Sequence, residues 1–166
     1  MTNLCKKLIF IALTVLFVVG LSSCASNKGK GNGEEVAAAD GFTLELNGDS
    51  DSRKAGALQT VYFPFDSNEI TADASATLKA NAEFLKNNKG IKVQVEGHCD
   101  ERGSIQYNLA LGEKRAKATR DFLAAEGVES ARISVISYGK EKAVAYGHDD
   151  AAWSKNRRSN FVITEK

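Results

Sequence analysis

The chain has 166 residues, one Pro and no internal repeat, which excludes fibrous and solenoid architectures and suits one domain with a single core plus a tail. Its 22 Lys and Arg balance 21 Asp and Glu, for a net charge of +1, so no field draws nucleic acid and no such partner is expected. Of the three cysteines, Cys5 and Cys24 fall in the N-terminal segment read below as removed or modified, which leaves Cys99 without an intramolecular partner and no structural disulfide expected.

Lys6 and Lys7 precede an apolar run from Leu8 to Leu21, followed by Ser22, Ser23 and Cys24; this is the charged, apolar and small-residue order of a secretory signal. At 14 residues the run is short of the roughly 18 or more that a membrane-spanning helix needs. Leu21-Ser22-Ser23-Cys24 resembles the lipobox of bacterial lipoproteins, which implies a signal peptide over 1–23 and a lipidated Cys24 at the new terminus. Several acyl chains, at about 0.8 kcal/mol per buried methylene, would make a firm anchor where one chain would not. Inner-membrane lipoproteins commonly carry Asp after that cysteine; Ala25 stands here, so the resemblance favours the outer membrane, with the domain facing the periplasm. Removing 1–23 takes away Lys6 and Lys7 and leaves 20 basic against 21 acidic side chains.

Ala25 to about Asp40 is rich in Ser, Asn, Gly, Lys, Glu and Ala without apolar period, so it buries too little surface to offset ordering entropy. A flexible tether is expected over 24–59 and a folded domain over 60–166. Within the tether, Phe42 to Leu46 alternates like a short strand between turn-like flanks.

Val61 to Phe65 is β-prone, and Pro64 marks it as an edge strand or a bulge. Thr71 caps a predicted helix carrying Ala74, Leu78, Ala82 and Leu85 on one face and closing at Lys86, Lys89 and Gly90. Ile91, Val93 and Val95 alternate with polar residues, the pattern of a half-buried strand. Ser104 or Asn108 starts a second helix with Leu111, Ala118, Phe122 and Leu123 as its stripe and Gly127 as its stop. Arg132–Tyr138 and Asn160–Thr164 complete the strands around a long connection, Gly139 to Arg158. The expected fold is α/β, an α+β sandwich of order β-α-β-α-β-β, with a mixed sheet and two main helices on one face.

This order puts Asp100 just past the carboxyl end of a strand and Arg115 on the helix that follows, the crevice where ligands bind in many α/β sheets. Such a pair of opposite charges suits a zwitterion. Asn108 lies seven residues before Arg115 and shares its face to within about 20°, so its amide can assist the guanidinium. A cation near a helix N-terminus is opposed by the macrodipole, and an anionic ligand would relieve that.

The stretch EGHCDERGSIQYNLALGEKRA, Glu96 to Ala116, resembles the signature of the OmpA-like peptidoglycan-binding domain family. The continuation SYGKEKAVAYGHDDAAWSKNRRS, Ser137 to Ser159, narrows the resemblance to lipid-anchored members. The resemblance implies a ligand, the meso-diaminopimelate of the peptidoglycan stem peptide. Asp100 would take its ammonium, Arg115 its carboxylate through two parallel hydrogen bonds, and Asn108 would help. Asp66 and Arg158 would line the rim. Cys99 departs from the Thr or Ala common at its position. The implied role is non-catalytic: tethering the outer membrane to the wall within the Tol system and cell division, with a TolB-like periplasmic protein as partner on the Tyr138, Tyr146 and Trp153 side. No cofactor and no metal are implied.

Other readings of the same residues exist. Asp100-Glu101-Arg102 is also what a solvated loop looks like. His98, Cys99 and Asp100 have the types of a thiol hydrolase or, with His148, a metal site, but neighbours on a strand point to opposite faces and do not converge without a bend. Gly103 and Gly112 suit turn and packing, and His98 suits a structural hydrogen bond. A protein assembly module that docks Tol proteins, with incidental wall binding, is the alternative of another class.

Overall fold

The computed structural model describes residues 43–166; the expected signal peptide, the lipobox with Cys24, and Ala25 to Phe42 lie outside the described residues. The elements run β1 Val61–Tyr62, α1 Ala72–Asn87, β2 Lys92–His98, α2 Ile105–Ala125, β3 Ile133–Gly139, α3 Asp150–Asn156 and β4 Arg158–Glu165. The sheet order is β1-β4-β2-β3; β2 and β3 are parallel, and β4 is antiparallel to β1 and β2. The mixed sheet matches the periodicity, with α3 added inside the long connection, where the Asp149 carboxylate caps it by accepting from the Ala152 amide at 2.8 Å. That helix is seven residues long, too short for a clear apolar stripe in the sequence.

Capping chemistry sets the two long helices. Thr71 Oγ1 accepts from the Ala74 amide, and Ser104 Oγ from the Tyr107 amide, each meeting one of the donors a helix start leaves free. Val93, Val95, Ile133, Phe161 and Ile163 turn to one sheet face and bury against Leu78 and Leu85 of α1 and Ala116 and Leu123 of α2. Each large aliphatic group so buried contributes about 1.5 to 3 kcal/mol. Both long helices therefore share that face.

The domain begins earlier than residue 60. Ala55 and Leu58 are buried in the core. The Asn47 amide donates to Ile163 O at 2.9 Å, and Ser50 Oγ donates to Asn160 Oδ1 at 2.7 Å, so residues 47–50 extend the edge pairing that β1 starts along β4. Residues 43–59 thus belong to the fold, correcting the tether expected over 24–59. The sequence hides this because Asn47-Gly48-Asp49 and Ser52 read as loop, while the segment is held through backbone groups and two apolar anchors.

Two glycines bring α2 onto the sheet. A Cβ on Gly97 would lie 1.8 Å from Gly112 O, and one on Gly112 would lie 2.3 Å from Ser137 Oγ. Only bare backbone permits that approach, and it seats α2 against the ends of β2 and β3.

Candidate functional site

Past the end of β2, the Cys99 amide donates to Gly139 O at 2.7 Å and the chain turns into α2 through Asp100 to Ser104. Asp100 Oδ1 accepts from the Arg102 amide at 3.1 Å, an Asx turn, and Gly103 follows at φ +91°. Asn108 is buried and spends its amide N–H groups on Arg102 O at 2.8 Å and Ser104 O at 3.2 Å. Asn108 therefore shapes the loop from below while its side chain lines the cavity the loop encloses.

That cavity holds about 170 Å³ and is lined by Phe65, Asp66, Asp100, Arg102, Asn108 and Arg115 among others. A larger hollow of about 430 Å³ lies between β1 and α1; the smaller one is lined by the buried pair expected from sequence, Asp100 and Arg115. Four of the five ligand residues expected from sequence, Asp66, Asp100, Asn108 and Arg115, come together there.

Arg115 is 1% exposed. Its Nε donates to Ser67 O at 2.8 Å, Nη1 to His98 O at 2.8 Å, and Nη2 to Pro64 O at 3.0 Å. Nη1 also meets Cys99 Sγ at 3.5 Å, a weak acceptor. Among the described residues no carboxylate pairs with it. A guanidinium carries five N–H groups, so one on Nη2 lacks an acceptor and one on Nη1 has only sulfur. Burial depresses its pKa, as expected for a cation short of compensation. The demand for an anion thus comes from burial. The macrodipole argument fails, because Arg115 is nearly three turns into α2, and that field fades within the first turn.

Asp100 is 4% exposed and already engaged. Arg102 Nη2 reaches Oδ2 at 2.6 Å and Nε reaches Oδ1 at 3.1 Å, while Arg157 Nη1 lies 3.4 Å from Oδ2. Burial pushes this carboxyl up, but the hydrogen bonds and charge of Arg102, with Arg157, outweigh that and hold it below the ordinary carboxylate value. Arg102 is sandwiched between the rings of Phe65 and Trp153, 4.0 Å from each centroid. Neither Arg102 nor Arg157 was among the residues expected. The only signal for them was Arg102 two positions from Asp100, and the adjacent pair Arg157-Arg158.

The structure corrects the choice within that pair. Arg158 is buried with Nε on Asp51 Oδ2 at 2.8 Å and lines a separate hollow with Glu96, His98 and Asn160. Arg157, the cap at the end of α3, is the one that faces Asp100, with Nη1 3.4 Å from Oδ2. Asp66, at φ +52°, accepts from the Tyr107 hydroxyl at the rim, in the same loop whose Pro64 O and Ser67 O accept from Arg115.

Cys99 is buried and donates to Asn108 O at 3.3 Å, and burial raises its thiol pKa, the reverse of what a nucleophilic thiol needs. The hydrogen-bonding role expected of His98 is replaced by packing: the ring stacks on Tyr138 with centroids 5.7 Å apart, and Nε2 lies 3.5 Å from Glu96 Oε2.

This fold belongs to a known class. Residues 62–157 match the model of the OmpA family. The C-terminal domain of Helicobacter pylori MotB has the same fold, with a TM-score of 0.61 at 21% identity over 65% of this chain and 85% of that one. The chain is 40% identical over 163 residues to the peptidoglycan-associated lipoprotein of Agrobacterium fabrum, covering 98% of this chain and 91% of the relative. It is 41% identical over 157 residues to that of Pseudomonas aeruginosa, covering 92% and 93%. The crystal structure of the peptidoglycan-associated lipoprotein from Burkholderia pseudomallei superposes with a TM-score of 0.61 at 45% identity, over 63% of this chain and 88% of that one. The chain belongs to the OmpA family, among its peptidoglycan-associated lipoproteins.

Proposed function

We propose that the domain binds the diaminopimelate-containing stem peptide of peptidoglycan non-covalently, and that lipidated Cys24 ties it to the outer membrane, so that the chain links membrane to wall. The observation that carries this reading is the buried Arg115 guanidinium, held by three carbonyls yet short of acceptors, on a residue that lines the cavity. A ligand carboxylate would meet those donors with charge-assisted hydrogen bonds worth about 1.5 to 3 kcal/mol each. The ligand ammonium would go to Asp100, with Asp66 and the Asn108 side chain on the wall of the same cavity. The names of the full-length relatives support wall association. A small site gives modest affinity for one stem peptide, and many anchored copies on one wall multiply it. No bond is made or broken in this role.

A second reading, docking of Tol proteins such as TolB during cell division, draws on exposed apolar groups. Phe65 is 59% exposed, Tyr107 51% and Tyr146 90%, and the first two flank the cavity. Sedimentation of the purified protein with peptidoglycan free of every Tol component separates the two. Wall binding predicts retention that free meso-diaminopimelate competes away, whereas a docking module alone predicts none.

A further inference from the structure

Asp100 meets two guanidiniums, and they are not equivalent. Arg102 lines the cavity, its side chain is 34% exposed, and it reaches Asp100 from the open side between Phe65 and Trp153. Arg157 does not line the cavity, and its side chain is 10% exposed. It sits where the end of α3 meets β4 and is fixed along its whole length. Its amide donates to Trp153 O at 3.1 Å, its carbonyl accepts from the Phe63 amide at 2.9 Å, and Nε donates to Phe63 O at 3.2 Å. Nη1 lies between Asp100 Oδ2 and Asp150 Oδ1, 3.4 Å from each.

A ligand ammonium entering the cavity meets Arg102 first. The aromatic sandwich lets that guanidinium leave Asp100 and remain stacked, whereas Arg157 has no such freedom. We infer that Arg157 is the positioning residue of this site: it stays behind Asp100 and fixes the carboxylate's orientation while a ligand ammonium takes the place of Arg102. The inference rests on the stem-peptide reading for the identity of the ligand. Without Arg157, a carboxylate this buried would be left, once Arg102 moved, with no cation of the protein against it, and burial would favour its protonated form. At 3.4 Å the Arg157 contact is long for a hydrogen bond, so its role is held charge.

The test uses the mature chain, with carbon NMR following the Asp100 carboxyl through an acid titration and calorimetry giving the affinity for meso-diaminopimelate. Arg157→Gln is expected to move the Asp100 titration to higher pH and to weaken binding about tenfold, with the thermal transition still cooperative. Arg157→Lys, which keeps the charge, should leave the titration near wild type and restore most of the affinity. Wild-type titration and affinity in Arg157→Gln would overturn the inference. If that variant does not fold, Asp150→Asn decides: Asp150 is 83% exposed, and removing its charge should give Asp100 a larger share of Arg157 and move its titration to lower pH, so an unmoved titration overturns the inference. Because the titration needs no ligand, it tests the role of Arg157 even if wild type ignores diaminopimelate, a result that would defeat the stem-peptide reading instead.

Discussion

Two buried arginines show how the same chemistry serves structure in one place and a site in another. Arg132 is 9% exposed and donates to Leu85 O, Asn88 O and Ile91 O at 2.7 to 2.9 Å. Leu85 lies in the last turn of α1 and Asn88 is its cap, where the macrodipole favours a cation. Arg115 likewise donates to three carbonyls, of Pro64, Ser67 and His98, but these come from loop and strand ends, and the group opens onto a cavity. Arg132 bonds through Nε and Nη2 only, and its unpaired Nη1 is not sealed from solvent; Arg115 is almost wholly buried and short of acceptors beside a cavity, which is what the proposed ligand would complete.

Replacing each arginine tests that contrast, and the largest effect is expected at Arg115. Arg115→Ala should abolish diaminopimelate binding and retention on peptidoglycan. Because Arg115 ties three separate segments together, it should also lower stability by about 2 to 4 kcal/mol. Arg115→Lys, which keeps the charge without the fork, is therefore the cleaner variant. Arg132→Ala should cost about 2 to 3 kcal/mol in urea unfolding with affinity unchanged; a parallel loss of binding would erase the distinction between the two residues. Gly112→Ala sharpens the comparison by moving the helix that carries Arg115 without touching Arg115. Its Cβ would sit 2.3 Å from Ser137 Oγ and 2.8 Å from Gly97 O, so about 1 to 3 kcal/mol of overpacking and weaker binding are expected together.

The smallest effects are those of pH, and the two histidines act in opposite directions. Burial, with the Arg158 charge, lowers the His98 pKa. The unfolded chain then binds the proton more readily, and His98 removes stability as pH falls below about 6.5. His148, exposed and bonded to Glu101 at 2.7 Å, has a raised pKa through that hydrogen bond. Its contribution is present below about 6.5 and fades as pH rises through the folded value. Thermal melts between pH 5 and 8 should show His98→Gln flattening the acid-side loss and His148→Ala removing an acid-side gain. A change of the same sign in both would contradict these environments.

Much of the fold was legible in the sequence because it rests on local rules. Thr71 and Ser104 have capping chemistry, Val93 and Val95 alternate, and Leu78, Leu85 and Leu123 recur at helical spacing, so strands and helices fall where the pattern puts them. Residues 43–59 were only partly legible: Phe42 to Leu46 alternates like a strand, and Leu44 does bridge Ala55, but the pairing of residues 47–50 to β4 leaves no periodic trace. At the site, Asp100, Asn108 and Arg115 sit within one strand-loop-helix unit, where spacing translates directly into geometry. Arg157 was missed and Arg158 chosen because they are adjacent, yet Arg157 caps α3 and Arg158 opens β4, so they face different ways. The start of β4 is set by pairing with β1 and β2, a tertiary fact.

The central claim is that the spare donors of Arg115 receive the carboxylate of a stem-peptide amino acid. Calorimetric titration of meso-diaminopimelate into the mature wild-type chain and into Arg115→Lys, at one pH and salt concentration, tests it most directly. The expected result is measurable binding by wild type and a loss of about tenfold or more, about 1.4 kcal/mol, in a variant that still unfolds cooperatively. Equal affinity of the two folded proteins would contradict it.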